Sequence, residues 1–296
     1  MRSRRALAWP LALVAALAAA AAGYAQSPPP LDDLGPRWML TLGAQADEHG
    51  ANSALGTFNV RAGTRTWLTL VSGTSESPSD RADIEADALA IALDHRFDKV
   101  GFALEAERWG DSGSLETQDL SASVYFDRER WRVGFGYEQR DIEIPFTVTG
   151  PLGNTFRRTV DIGADGISFT ARVSLAERWR MYLGLKEYDY ERNLAVLPRI
   201  ASLNWLSAST LTLANSFVDY DRWLSVERTF GRASLLNVRV ATDRSAIDDS
   251  KLDTIEGSVL FPVGRRLDLE VSLGNGRSDF FDAGVYGGLL LVIYGR

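Results

Sequence analysis

The sequence predicts an all-β protein in which one antiparallel sheet runs up and down and closes into a barrel. Three observations lead to this prediction. Apolar and polar residues alternate with a period of two in many segments, an export signal stands at the N-terminus, and short connections alternate with long ones. Such alternation places successive side chains on opposite faces of a strand. We expect about fourteen strands in one domain, with twelve as the alternative.

The clearest alternation surrounds a charged turn at residues 127–130. One face of the segment after the turn carries Trp131, Val133, Phe135 and Tyr137, and the other face carries Arg132, Gly134, Gly136, Glu138 and Arg140. Residues 120–126, before the turn, alternate in the same way. The segment therefore predicts a hairpin with one apolar side and one polar side. Its charges lie well inside the strands, which is typical of a membrane barrel with apolar residues toward lipid and charged residues within.

The N-terminal 25 residues have the layout of a cleaved secretory signal peptide. Three arginines within the first five residues precede an apolar run at 6–22, and small residues precede the expected cleavage after Ala25. An uncleaved anchor is the alternative, but the run is short for a spanning helix and contains Pro10. Residues 26–36 are rich in proline and read as a periplasmic leader, so we assign the barrel to residues 37–296.

Composition excludes several classes of function. Without the three arginines of the signal, 29 basic residues face 39 acidic ones, a net charge of −10. An exported, acidic chain lacks the basic surface that binds nucleic acid. The chain has no cysteine, which excludes disulfides, thiol catalysis and cysteine-ligated metals.

The predicted strands follow one another through the whole domain. Each is a run of alternating residues bounded by turn-forming or charged residues. In chain order they are 37–46, 55–62, 67–75, 87–97, 100–109, 120–126, 131–140, 167–175, 179–190, 217–230, 233–242, 252–261, 267–273 and 285–294.

The connections between these strands fall into two alternating classes. The short ones are 63–66, 98–99, 127–130, 176–178, 231–232 and 264–266, and the long ones are 47–54, 76–81, 111–114, 145–158, 191–216, 243–251 and 275–281. Short turns at one rim and long loops at the other are typical of an outer-membrane barrel.

Three tryptophans, Trp67, Trp131 and Trp179, each follow directly after a short turn. An amphipathic ring at the end of a lipid-facing strand fits the membrane interface. We therefore predict that the three form part of an interfacial girdle. The alternative is that they are core aromatics of a soluble sandwich.

On these features, residues 37–296 resemble the Gram-negative outer-membrane β-barrels, including porin-like channels of about fourteen strands. The resemblance implies a transmembrane antiparallel barrel in the outer membrane, with lipid and the barrel-assembly machinery as partners and no cofactor. Such barrels usually end on an aromatic residue. This chain ends Ile293-Tyr294-Gly295-Arg296, so Tyr294 stands two residues early.

Strand parity assigns a set of charged residues to the barrel interior. An isolated charge in hydrocarbon is costly, so the interior is the favourable location. The predicted pore-lining residues are Glu105, Glu107, Arg132, Glu138, Arg140, Arg172, Arg180, Lys186, Arg239, Asp268 and Glu270. In a water-filled lumen they would set solute or ion selectivity. In a narrow barrel they would pair as a structural network.

The long connection at 191–216 is unusually apolar for an exposed loop. It either folds over the lumen as a constriction or extends a long strand above the membrane.

The sequence gives little support for catalysis. Its two histidines are His49, beside Asp47 and Glu48 in a predicted loop, and His95, on a lipid-facing parity. No Gly-x-Ser-x-Gly elbow occurs, and two distant histidines without cysteine do not form a usual zinc site. We predict no catalytic residues and no metal.

The predicted function is passive diffusion of small hydrophilic solutes or ions. The alternative is a non-conducting structural or interaction barrel linked to envelope or exopolysaccharide components. An outer-membrane hydrolase is a remote third possibility.

Overall fold

The computed structural model is a closed antiparallel barrel of fourteen strands in sequence order. It describes residues 36–78, 84–111, 115–149, 155–194, 217–231, 233–279 and 283–295. The strands are β1 (Trp38–Asp47), β2 (Asn52–Arg61), β3 (Thr66–Ser77), β4 (Ile84–Arg96), β5 (Val100–Asp111), β6 (Leu115–Asp127), β7 (Trp131–Thr149), β8 (Thr155–Ala176), β9 (Trp179–Tyr190), β10 (Val218–Phe230), β11 (Ser234–Ser245), β12 (Lys251–Pro262), β13 (Leu267–Ser278) and β14 (Gly284–Gly295). The prediction of an all-β barrel with fourteen strands is confirmed, and the alternative of twelve strands is wrong.

The barrel closes where the first strand meets the last. β1 pairs with β14 in unbroken register, from Trp38 opposite Gly295 to Asp47 opposite Tyr286. Every strand therefore has two neighbours, and the barrel has no free edge strand. Only the loop-rim ends of β7 and β8 extend past their outer neighbours β6 and β9. No helix among the described residues is long and apolar enough to cross a membrane.

The two rims of the barrel differ, and we name them by their connections. The turn rim carries the predicted short turns, the first residue of β1 and the last residue of β14. The loop rim carries the other connections. A two-residue link joins β8 to β9 at the turn rim, whereas 27 residues separate β9 from β10 at the loop rim.

Most strands reach further toward the loop rim than the sequence predicts. The expected loop at 145–158 is wrong, because β7 continues to Thr149, β8 begins at Thr155, and Pro145 pairs with Thr159. Pro145 is tolerated because β7 pairs with β6 only as far as Glu143, so it lies on an edge that needs no N–H donor. Most of the apolar connection 191–216 and the N-terminal segments 1–25 and 26–35 lie outside the described residues.

An apolar band covers the outward face of the barrel. It consists of large apolar side chains that are more than a third exposed, among them Leu70 on β3, Ile91 on β4, Leu120 and Val124 on β6, Phe135 on β7, Ile167 on β8, Val240 on β11, Leu273 on β13 and Leu289 on β14. Such a band is what the hydrocarbon core of a membrane requires.

A second set of apolar residues lies inside the barrel, near the loop rim. These buried residues form one contiguous cluster, called here the apolar layer: Leu55, Val71, Ala86, Ala88, Ala90, Trp109, Leu115, Ile142, Ile144, Ile162, Leu194, Phe217 and Ile247. The layer extends from β2 around to the segment after β11.

Candidate functional site: the barrel lumen

All eleven residues that the sequence assigns to the lumen have side chains on the inward faces of their strands. The pairing registers place them opposite other inward residues, such as Glu138 opposite Ser121 and Arg239 opposite Ser225. The structure brings several of them together in two groups on β4 to β9. Arg239, Asp268 and Glu270 stand apart on β11 and β13 and make no ion pair within the described ranges. Whether these residues line a conducting pore stays a prediction.

The first group surrounds one buried carboxylate near the turn rim. Asp127, at the end of β6, accepts hydrogen bonds from Arg132 on β7 at 2.6 Å and from Arg172 on β8 at 3.1 Å. Arg96 on β4 lies 3.4 Å from the same carboxylate. Three guanidinium groups share one carboxylate, so this part of the lumen has an excess of positive charge.

The second group forms a charged belt at mid-height, made of Glu105, Glu107, Asp119, Glu138, Arg140 and Lys186. At its centre, Arg140 donates two hydrogen bonds to Asp119, from Nε to Oδ1 at 2.8 Å and from Nη2 to Oδ2 at 2.7 Å. This is the fork geometry in which guanidinium and carboxylate pair most strongly. The side chain of Arg140 is 0% exposed. It is therefore held by the barrel and does not extend into open solvent.

Glu138 links the rest of the belt. Lys186 Nζ lies 2.6 Å from Glu138 Oε2, and Arg140 Nη2 lies 3.4 Å from Oε1. The hydroxyl of Tyr188 also donates to Glu138 and accepts from Arg140 at 3.1 Å. Strands β6, β7 and β9 are thereby connected through side chains as well as through the sheet.

The adjoining wall of the lumen, on β10 to β12, is acidic, and it begins where Asp221 of β10 lies opposite Lys186 of β9 in the strand register. Asp221 on β10 and Asp243 on β11 are buried and pair directly in the register of the two strands. Arg239 on β11 stacks over the ring of Trp223 at 5.0 Å and lies opposite Glu256 of β12. Carboxylates thus outnumber cations on this wall as they do in the belt.

Asp119, Asp127 and Tyr188 are absent from the predicted lumen residues, although all three have the inward parity of their strands. Asp127 was assigned to the turn, and Asp119 lay one residue before the predicted start of its strand. Parity could have identified both once the strand bounds were known.

The apolar layer lies directly above the belt on the side of the loop rim. Trp109 belongs to the layer, and its indole Nε1 is 3.4 Å from Asp119 Oδ2 in the belt. The Trp109 ring packs edge-on against Phe217, with 5.8 Å between ring centroids. Trp109 is on β5 and Phe217 precedes β10, five strands away in the barrel order. This contact therefore crosses the lumen.

Two of the three predicted interfacial tryptophans have the expected outward placement. Trp131 and Trp179 are 41% and 40% exposed at the turn rim. Trp67 differs, because it shares the inward parity of Thr69 and Val71 on β3. The register of the turn places Thr66 outward instead, where it hydrogen-bonds His95 at 2.8 Å.

The outward aromatic groups at this part of the turn rim come from other residues. His95 packs with Phe97 and Phe102, and Trp38 packs with Phe58 at 6.2 Å. His95 thus has the outward position that its parity predicts. Like Trp131 and Trp179, these rings lie on the outward face near the ends of strands. Their position directly after a turn is not a shared feature.

His49 lies in the connection between β1 and β2. Asp47 Oδ1 accepts hydrogen bonds from the backbone N–H groups of His49 and Ala51, both at 2.9 Å. The carboxylate therefore shapes the turn. In the described part of the chain, no group of three or more histidines and carboxylates is arranged to hold a metal ion.

Comparison with known proteins identifies the architecture. No family model matches the chain, and no curated protein matches it. Among solved structures, the CymD monoaromatic hydrocarbon channel is similar with a TM-score of 0.57 and 9% identity, over 89% of this chain and 90% of that chain. This chain has the fold of an outer-membrane β-barrel. A Pseudomonas aeruginosa FadL homologue is similar with a TM-score of 0.55 and 8% identity, over 90% and 92% of the two chains.

The Ralstonia pickettii toluene transporter TbuX is similar in the same way, with a TM-score of 0.51, 8% identity and coverage of 90% and 91%. Two of these three proteins are a channel and a transporter by name. At such low identity the similarity establishes the shared fold alone.

Proposed function

We propose that this protein is an outer-membrane channel for the passive diffusion of small hydrophilic solutes or ions. The charged belt carries the proposal, because side chains of both signs face the interior of a closed barrel at mid-height. Eight strands leave an interior filled by side chains, whereas sixteen leave an aqueous channel. Fourteen strands lie nearer the wider case.

The apolar layer adds a closed state to this proposal. The contact between Trp109 and Phe217 joins opposite walls above the belt, and an apolar constriction in a pore is closed to ions because water leaves it. Phe217 belongs to the connection before β10 and not to the sheet. We therefore propose that displacement of Phe217 opens the path from the loop rim to the belt.

The proposal predicts the surroundings of the barrel as well. Outer-membrane lipid would cover the apolar band, and the assembly machinery would recognise the end of β14. The hydroxyl of Tyr294 donates to Asp268 Oδ2 at 2.8 Å inside the barrel. The C-terminal aromatic is thus engaged in the folded state, and recognition would precede closure. We propose no catalytic activity.

Planar-bilayer recording tests the channel. We expect discrete openings for the refolded wild-type protein and larger or longer openings for Phe217→Ala, because the variant removes one side of the contact across the lumen. The matched control is Phe230→Ala, which removes an outward ring from β10 at the turn rim and should leave conductance unchanged.

The second candidate is a non-conducting barrel that anchors envelope or exopolysaccharide components. The complete burial of Arg140 favours it, together with the aromatic contact across the lumen. The same recording separates the two functions. If neither the wild type nor Phe217→Ala gives a discrete conductance, the channel proposal is rejected in favour of a non-conducting barrel.

A further inference from the structure

The turns at the turn rim carry an excess of exposed positive charge. Five of these turns are described in full, at 62–65, 97–99, 128–130, 177–178 and 263–266. Together they contain seven arginine or lysine residues and three carboxylates, all of them exposed. No ion pair among the described residues includes any of the seven cations. We call these five turns the basic rim.

The outer surface of β7 to β9 toward the loop rim has the opposite charge. Five exposed carboxylates face outward there: Asp141, Glu143, Asp161, Asp165 and Asp189. Because like charges repel and opposite charges attract, an anionic surface is attracted to the basic rim and repelled by this part of the barrel. The two ends of the outer surface therefore favour different surroundings.

Aromatic side chains place the basic rim at the edge of the apolar band. Trp131 directly follows Arg130, and its ring points outward. Trp179 directly follows Arg178 and also points outward, with the guanidinium of Arg228 lying 5.1 Å from the centroid of its ring. Outward tryptophans of a membrane barrel lie at the level of the lipid headgroups. The cations next to them therefore lie at the depth of the headgroup phosphates.

We propose that the basic rim binds the headgroups of anionic phospholipids, such as phosphatidylglycerol, in the adjoining leaflet. Exposed Lys and Arg residues are attracted to an anionic leaflet, and arginine can bind phosphate oxygens through two parallel hydrogen bonds. The neighbouring tryptophans favour a membrane surface over a soluble anion, because their rings suit the boundary between headgroups and acyl chains. The inference does not depend on conduction and rests only on the membrane location in the proposed function.

Quenching of tryptophan fluorescence by brominated lipids tests the inference. The refolded barrel is inserted into phosphatidylcholine vesicles that contain a small fraction of either brominated phosphatidylglycerol or brominated phosphatidylcholine. Among the described residues, the outward tryptophans Trp38, Trp131 and Trp179 lie at the turn rim, so they report the lipids there. We expect a several-fold preference for phosphatidylglycerol at low salt. The preference should fall at high salt, because exposed charges are then screened.

A triple variant removes the cations beside two of these tryptophans. Arg128→Gln, Arg130→Gln and Arg178→Gln are combined in one chain, and all three positions are exposed in turns, so the barrel should still fold. We expect the triple variant to lose most of the preference for phosphatidylglycerol, because the attraction comes from the removed charges.

The matched control removes three exposed outward cations on the side of the loop rim. It combines Arg108→Gln, Lys251→Gln and Arg277→Gln. The net charge changes by the same amount as in the first triple variant, so a general effect of charge would appear in both. We expect the control to keep the wild-type preference.

Equal quenching of the wild type by the two brominated lipids would overturn the inference, as would a preference that the turn-rim triple variant keeps. Inorganic phosphate should weaken the preference no more than NaCl does at the same ionic strength. A larger loss in phosphate would assign the rim to soluble anions and overturn the lipid. If neither lipid quenches, the membrane location is rejected together with the inference, whereas equal quenching rejects the inference alone.

Discussion

In the half of β6, β7 and β8 nearer the turn rim, apolar side chains face outward and polar or charged side chains face inward. In the half nearer the loop rim, this polarity is reversed. On β7 the outward residues change from Phe135 and Tyr137 to Asp141 and Glu143, while the inward residues change from Arg140 to Ile142. The register between β6 and β7 continues without a shift through this change.

The difference shows where the surroundings of the barrel change. An apolar outward face is stable only against lipid, and a charged inward face is stable only where charges can pair or meet water. A polar outward face with an apolar interior is the arrangement of a soluble β-barrel in water. The same strands therefore cross from lipid to water while their period of two is preserved.

The largest test of this comparison removes the central cation of the belt. Arg140→Met would leave the buried carboxylate of Asp119 without its partner, which typically costs about 3–5 kcal/mol. We expect this loss in the free energy of urea unfolding in phospholipid vesicles. Arg108→Met is the control, because Arg108 pairs with Glu116 on the exposed outer face and should have little effect. Equal losses would contradict the distinction between the belt and the outer surface.

A smaller effect is expected from a charge on the outward face. Val124→Arg places a cation in the apolar band, where the cost of such a residue rises from about 0–1 kcal/mol near the interface to about 2–4 kcal/mol at the bilayer midplane. Gln118→Arg has the same strand and parity but lies toward the loop rim, so it should be nearly neutral. Vesicle unfolding measures both variants. A strong loss for Gln118→Arg would show that the lipid boundary is nearer the loop rim than we infer.

The smallest effect is expected when one methylene-sized group is removed from either the apolar layer inside the barrel or the apolar band outside it. Ile142→Val removes volume from the packed apolar layer and should cost about 0.5–1.5 kcal/mol. Ile167→Val trims a side chain that is 65% exposed on the outward face. Lipid is as apolar as the side chain it replaces, so this variant should be close to neutral. A larger loss of unfolding free energy for Ile167→Val than for Ile142→Val would contradict the assignment of Ile142 to the packed interior.

The sequence predicted the strands well because alternation is a local property. The alternation within each hairpin shows which residues share a face. The inward location of Arg132, Glu138 and Arg140 followed directly from that parity. The prediction failed at 145–158, because two prolines and two glycines indicate a loop when the pairing of the strand is unknown. Trp67 shows a related limit, since the position after a turn does not determine which face the turn's register selects.

The contacts that define the candidate site were beyond sequence reasoning for a different reason. Arg140 and Tyr188 are 48 residues apart, and Trp109 and Phe217 meet across the lumen. Such contacts depend on strand number, tilt and closure, which alternation does not specify. The sequence could therefore assign charges to the lumen without showing which of them pair.

The hairpin of β7 and β8 extends well beyond the other strands at the loop rim. β7 has 19 residues and β8 has 22, compared with 10 in β1. At about 3.3 Å per residue, the nine extra residues of β7 add about 30 Å along the strand. With the loop rim on the outside of the cell, as we propose, antibodies, phages and proteases would meet this hairpin first, and it would be the place for an epitope tag or an engineered cleavage site.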